Sequence, residues 1–229
     1  MLHYYIGGEI LKKKRSKPNL IVGIGILILA LVGVVSMIIT AGDKIGDSIQ
    51  KKNAEKYSAY EEFIAPVIMN DPDTFDDVTL ADSGQLLSIA IWSVLDSNPE
   101  PDKYEYTDDG MLLPAKEVEE KFASLFGNEV KIIHSNVDGG GIDFKYSAKK
   151  KAYLIPITGI TPIYTPKVTD AKEKSSSVEL TVGYLHSGDW QQDSDGNMTA
   201  PEPGKYMKIT LGKNSDGGYF VRAIQKNSD

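Results

Sequence analysis

Residues 178–186 read Val178-Glu-Leu-Thr-Val-Gly-Tyr-Leu-His186. Val178, Leu180, Val182 and Tyr184 fall on one side of a two-residue period, with Glu179, Thr181 and Gly183 on the other. That alternation predicts a strand with one face in a core and one toward solvent. Downstream, Tyr206–Lys213 repeats it, setting Met207, Ile209 and Leu211 against Lys208 and Thr210. Asn214–Gly218 then supplies a glycine-rich turn, and Tyr219–Gln225 returns antiparallel. Upstream, the same period predicts strands over Val130–Asn136, Ile142–Tyr146 and Ala152–Ile157. The last two flank the lysine-rich hairpin tip Ala148-Lys149-Lys150-Lys151, and Ile163–Val168 is a further strand piece between prolines.

Before Asn128 the period is helical. Tyr57, Tyr60, Ile64, Val67 and Ile68 recur at spacings of three and four, predicting a helix over 43–69 that Asp71-Pro72 stops. A second helix over 82–96 is apolar nearly all round, which predicts burial, and Asp82 is placed to cap it. Residues 97–112 read as loop. Pro114 opens a third helix with the stripe Val118, Phe122, Leu125 and Phe126, and Gly127 ends it. Helices first and strands after predict an α+β fold, three helices packed on a curved antiparallel sheet.

Charge is unevenly spread. The 229-residue chain has a net charge of −7, with +4 over 1–18, no charged residue over 19–42 and −11 over 43–229. Residues 19–42 are apolar and long enough to cross a bilayer as a transmembrane helix. Lys12–Lys17 precede them, which by the positive-inside rule places the N-terminus in the cytoplasm and 43–229 outside. The stretch is longer than a signal-peptide core, favouring an uncleaved anchor. The expected organisation is a basic cytoplasmic tail (1–18), a single-pass span in the plasma membrane (19–42), a juxtamembrane stalk helix (43–56) and one extracytoplasmic domain (57–226). The acidic bulk excludes a general nucleic-acid binder. The chain has no cysteine, which removes disulfides, thiolate metal sites and Cys nucleophiles together.

The element order over about residues 55–226, with its closing segments Val178–Leu185, Lys205–Leu211 and Gly218–Ile224, resembles the NTF2-like (cystatin-like) superfamily. Ile64-Ala-Pro-Val-Ile-Met-Asn-Asp-Pro72 and Tyr164-Thr-Pro-Lys-Val168 resemble single-pass proteins of Gram-positive bacteria that carry such a domain outside the membrane. The first likeness implies a cone between helices and sheet, in which enzymes of that superfamily use an Asp or Glu proton shuttle and a Tyr or protonated acid as oxyanion donor. Asp143, Glu179, His134 and His186, with Tyr146, Tyr153 and Tyr184, are the residues available here, and no spacing selects a pair among them. The second likeness implies a compartment rather than a reaction.

Three further features carry chemistry. Counting Gly196 as position six of an EF-hand-type loop sets Asp193, Asp195, Asn197, Thr199 and Glu202 at ligand positions for calcium, with Gln191 in place of the first acid. The bland alternative is a polar hairpin tip. Trp190 is an exposed-aromatic candidate for contact with a partner or glycan. Lys149–Lys151 offers positive charge to anionic wall polymer or headgroups, and is equally an ordinary solvated turn. Two distant histidines make no zinc site, and no nucleophile elbow, dinucleotide or phosphate-loop pattern occurs.

The expectation is a membrane-anchored, non-enzymatic domain that binds a protein partner or ligand, such as a cell-wall component, at the cell surface. No cofactor is expected, calcium apart. The alternatives are an assembly subunit of a secretion or conjugation system, and a small-molecule enzyme or carrier using the cone.

Overall fold

The computed structural model describes residues 48–97, 103–156, 162–215 and 217–227. Three helices come first: α1 (Ser48–Ile68), α2 (Ser83–Asp96) and, after the hairpin β1 (Glu105–Thr107) and β2 (Gly110–Pro114), α3 (Ala115–Phe126). The strands β3 (Val137–Asp138), β4 (Asp143–Ser147) and β5 (Ala152–Ile155) follow, then β6 (Tyr164–Glu173) and β7 (Ser177–His186). A short hairpin, β8 (Gln191–Gln192) and β9 (Met198–Thr199), precedes β10 (Lys205–Lys213) and β11 (Tyr219–Lys226).

Three helices and an antiparallel sheet agree with the expectation, but the expected fold class needs two corrections. The strands form two main sheets rather than one curved sheet, in the orders β1-β2-β5-β4-β3 and β11-β10-β7-β6. No helix among the described residues is long and apolar enough to cross a membrane, so the structure supplies no N-terminal transmembrane helix. The expected span over 19–42, the tail before it and the first residues of the stalk lie outside the described residues. The strands not foreseen include the two-residue β3, β8 and β9, and β1 and β2 in a segment read as loop. Met111, Leu112 and Leu113 are all buried, so β2 shows no alternation for a period-two reading to find. Gly110, at φ 152°, makes the turn into β2, and a Cβ there would lie 2.2 Å from the Ile155 carbonyl oxygen.

The helix ends follow local chemistry. The Asp82 carboxylate accepts the Gln85 N–H at 2.8 Å and caps α2. Gly127, at φ 76°, ends α3. The chain leaves α1 through Asp71, a non-glycine residue at φ 43°, just before Pro72. Pro114 closes β2 and precedes the first residue of α3.

β7 pairs with β10 and β6 along its full length. Val178, Leu180, Val182 and Tyr184 are fully buried, as the alternation predicted. Truncating such a side chain to alanine costs about 2–5 kcal/mol. α3 touches β11 on one side and β2 and β5 on the other, so a single core cluster joins helices and both sheets. α1 lies along β6, the outer strand of its sheet. There Glu61, 4% exposed, accepts the Val168 N–H at 2.8 Å, and Lys56 pairs with Glu173. Glu61 thereby closes a strand edge that would otherwise present a free donor.

Candidate functional site

α2 is buried along most of its length, but Gln85, Ser88 and Trp92 share the side that meets the segment 135–140. Between them lies a cleft of about 570 Å³, within the size range of small-ligand and peptide sites. Met69, Asn70 and Ile163 also line it. Trp92 fixes one wall: its indole N–H donates to the Gly139 carbonyl at 3.1 Å, and its ring packs edge-on against Phe144 at 5.1 Å. Gly139 is required there, because a Cβ would fall 2.4 Å from the Phe144 ring. The Asn136 side chain accepts the Tyr146 N–H at 2.8 Å, and Asp138 accepts the Gly141 N–H at 2.6 Å, which shapes the turn.

The lining chemistry is one-sided. Two carboxylates, Asp82 and Asp138, and three side-chain amides, Asn70, Gln85 and Asn136, face the cleft, and no lysine or arginine is among the lining residues. Each carboxylate takes one backbone N–H through Oδ1. The positive end of the α2 dipole is met by Asp82. Gln85 Oε1 accepts the Asp73 N–H, Asn136 Oδ1 accepts the Tyr146 N–H and the Asn70 amide donates to the Pro66 carbonyl, so the two carboxylates set the preference, which is for positive charge beside the apolar surface of Trp92, Met69 and Ile163.

A second cluster joins four groups. His134 Nδ1 lies 2.7 Å from the Tyr153 hydroxyl and Nε2 lies 2.9 Å from Glu119. With glutamate as acceptor at Nε2, that nitrogen carries the proton and Tyr153 donates to Nδ1. Tyr146 stacks on the imidazole at 4.8 Å and 14°. Tyr153 is fully buried, and burial first, then the charges of Tyr146 and Glu119, hold its hydroxyl well above the ordinary tyrosine range. No substrate atom reaches such a hydroxyl, so the relay fastens the segment before β3 to α3 and β5. His134, Tyr146 and Tyr153 are thus brought together, and Glu119 is the partner that sequence reasoning missed.

A third cluster surrounds Lys205. Its ammonium lies 2.5 Å from Asp71 and over the rings of Tyr184 and Tyr164, at 4.8 and 5.1 Å. Tyr164 also meets His186 edge-on at 5.7 Å. Burial raises the Tyr184 hydroxyl, which has no hydrogen-bond partner. The other expected candidates stay apart. Asp143 is exposed on β4. Glu179 sits between Lys174 and Lys208 at 3.4 and 3.6 Å. His186 accepts the Gly188 N–H at 3.2 Å.

The calcium candidates form the β8–β9 hairpin tip. Asp193 Oδ1 accepts the N–H groups of Asp195 and Asn197 at 2.9 and 2.8 Å, and Oδ2 accepts from the Asn197 side chain at 3.0 Å. These bonds hold the Asp193 carboxyl below the usual range, the Asn197 side chain contributing most. Asp193 and Asn197 are brought together by their own turn, and Glu202 is exposed beyond β9. Among the described residues no three His, Cys, Asp or Glu side chains converge on a metal-sized space. Trp190 is half-buried, with its indole N–H buried and unpartnered. Lys149–Lys151 form an exposed turn, Lys150 lying 3.7 Å from Glu105.

The cleft itself was not foreseen, because Gly139–Gly141 match no dinucleotide or phosphate-loop spacing. The available signal was Asp138 beside three glycines, opposite a helix whose capped end carries Gln85 and Ser88. No family model, no curated protein and no solved structure matches the chain.

Proposed function

We propose that this chain is a non-enzymatic binding domain displayed outside the cytoplasm, and that its ligand seats in the cleft between α2 and residues 135–140. The observation that carries the reading is the lining: two carboxylates beside Trp92, with no lysine or arginine among the described lining residues. Such a lining suits a ligand that presents positive charge or several N–H groups. Binding is favoured over catalysis because both nitrogens of His134 are held by Glu119 and Tyr153, which leaves this imidazole no free nitrogen with which to activate a serine. Attachment to a bilayer through residues 19–42 rests on their sequence and on the basic residues before them.

The test is a thermal-shift titration of detergent-solubilised full-length protein with spermidine and, as the anionic counterpart, citrate. Stabilisation by spermidine that is lost in the Asp82→Asn/Asp138→Asn double variant supports the reading. Asparagine keeps the helix cap, so the variant removes charge with little structural change. Preference for citrate, or an unchanged spermidine response in the variant, would abandon it.

A further inference from the structure

We propose that the cleft takes an extended peptide with a basic side chain, which adds as a strand to the outer edge of β3. This rests on the cleft reading above and names its occupant.

β3 is the last strand of the five-stranded sheet. It pairs with β4 through Val137↔Phe144 and Asp138↔Asp143, and the hairpin is closed by the Gly139 N–H donating to the Ile142 carbonyl at 2.7 Å. Hydrogen-bonded and non-bonded pairs alternate along an antiparallel ladder. Since Gly139 turns its N–H toward β4, Asp138 turns both its N–H and its carbonyl away from β4. Strand addition requires the cleft to lie on that outward side. Ser135 through Gly140 line it consecutively, as residues do along a strand edge, whereas a sheet face presents every second residue.

Three other edge positions are met by the chain itself. Glu61 accepts the Val168 N–H on β6. Phe75 exchanges two backbone hydrogen bonds with Ile224 on β11, at 2.8 and 2.9 Å. Asn136 takes the Tyr146 N–H on β4. At Asp138 the edge opens into a cavity instead, with α2 as the facing wall. A strand beside a helix is the geometry of peptide capture by β-addition, in which main-chain bonds give affinity and alternate side chains give selectivity. Asp82 and Asp138 suit a lysine or arginine on one side of the added strand, and Trp92, Met69 and Ile163 suit an apolar residue on the other.

The experiment uses full-length protein in detergent and four probes. These are the blocked peptide acetyl-Val-Lys-Val-Lys-Val-amide, two versions N-methylated at alternate amides in opposite phase, and spermidine. Strand addition predicts that the parent peptide binds, that one N-methylated phase is about tenfold weaker and that the other is nearly unchanged, since one phase points its N–H groups at β3. It also predicts slowed hydrogen exchange at the Asp138 amide on binding, a readout that charge attraction alone would not move. If spermidine and all three peptides bind alike with no change at Asp138, strand addition is overturned while the cleft reading stands. If no probe binds, both fall.

Discussion

Glu61 offers the sharpest test of how the two layers are joined. Its carboxylate is almost fully buried between α1 and β6, accepts the Val168 N–H at 2.8 Å and lies 3.7 Å from the Lys167 ammonium. Burial raises its pKa, only partly offset by Lys167 and the Val168 bond. Glu61→Ala strands the Val168 donor and opens a void, so a loss of about 2–4 kcal/mol is expected from the unmet donor and the lost packing together. Glu61→Gln keeps an acceptor of the same shape and removes the buried charge, so it should fall within about 1 kcal/mol of the parent at pH 7. The two variants also separate by pH. Because the folded-state pKa is raised, the folded protein holds this proton more tightly than the unfolded chain. The associated stability is complete below the ordinary glutamate value and is lost as pH rises through the raised one. Acidifying from pH 7.5 toward pH 5 should therefore favour the parent over Glu61→Gln. Urea unfolding followed by tryptophan fluorescence at several pH values measures both effects. An alanine variant as stable as the parent, or a glutamine variant with the same pH slope, would refute the edge-closing role.

Other expectations are simpler. Tyr153→Phe removes the donor to His134 Nδ1 and should cost about 1–2 kcal/mol in urea unfolding, while Tyr146→Phe, which keeps the stacked ring, should cost less. Gly110→Ala should destabilise by about 3 kcal/mol or more, because its Cβ meets the Ile155 carbonyl, whereas Gly140→Ala, at φ 83° in open space, should cost only about 1 kcal/mol. Thermal melts discriminate these two glycines directly. Calcium at millimolar concentration should leave the melting temperature unchanged, since Asp193 is committed to its own turn. A rise of several degrees that Asp193→Ala abolishes would restore the metal reading.

What the sequence disclosed depends on how each segment meets the core. β7, β10 and β11 were placed to within a residue or two, because along most of each strand buried residues alternate with less buried ones. β6 was seen only in part. Pro166 interrupts the pattern, yet an outer strand tolerates proline, and the strand continues to Glu173. Residues 130–136 show the opposite error. Val130, Ile132 and His134 are half-buried while Lys131, Ile133 and Ser135 are exposed, so the alternation is genuine. It reports partial burial rather than pairing, and the segment is held by side chains instead of a ladder. Glu119 looked like any solvent-facing acid of a helix, since its partner His134 arrives 15 residues later. The cleft was invisible for a similar reason: its walls come from a helix cap and a glycine turn, and each has an adequate local explanation.

α1 has a geometric consequence beyond its packing. At 21 residues it measures about 30 Å, and Met69 and Asn70, directly past its C-terminal end, already border the cleft. Its N-terminal end continues into the part of the chain that holds residues 19–42. Because Lys56 and Glu61 bind it to β6, the helix is a stiff spacer rather than a hinge. Ser48, the first described residue, therefore stands about 30 Å along the helix axis from the border of the cleft. An extended peptide needs about nine residues to run the same length.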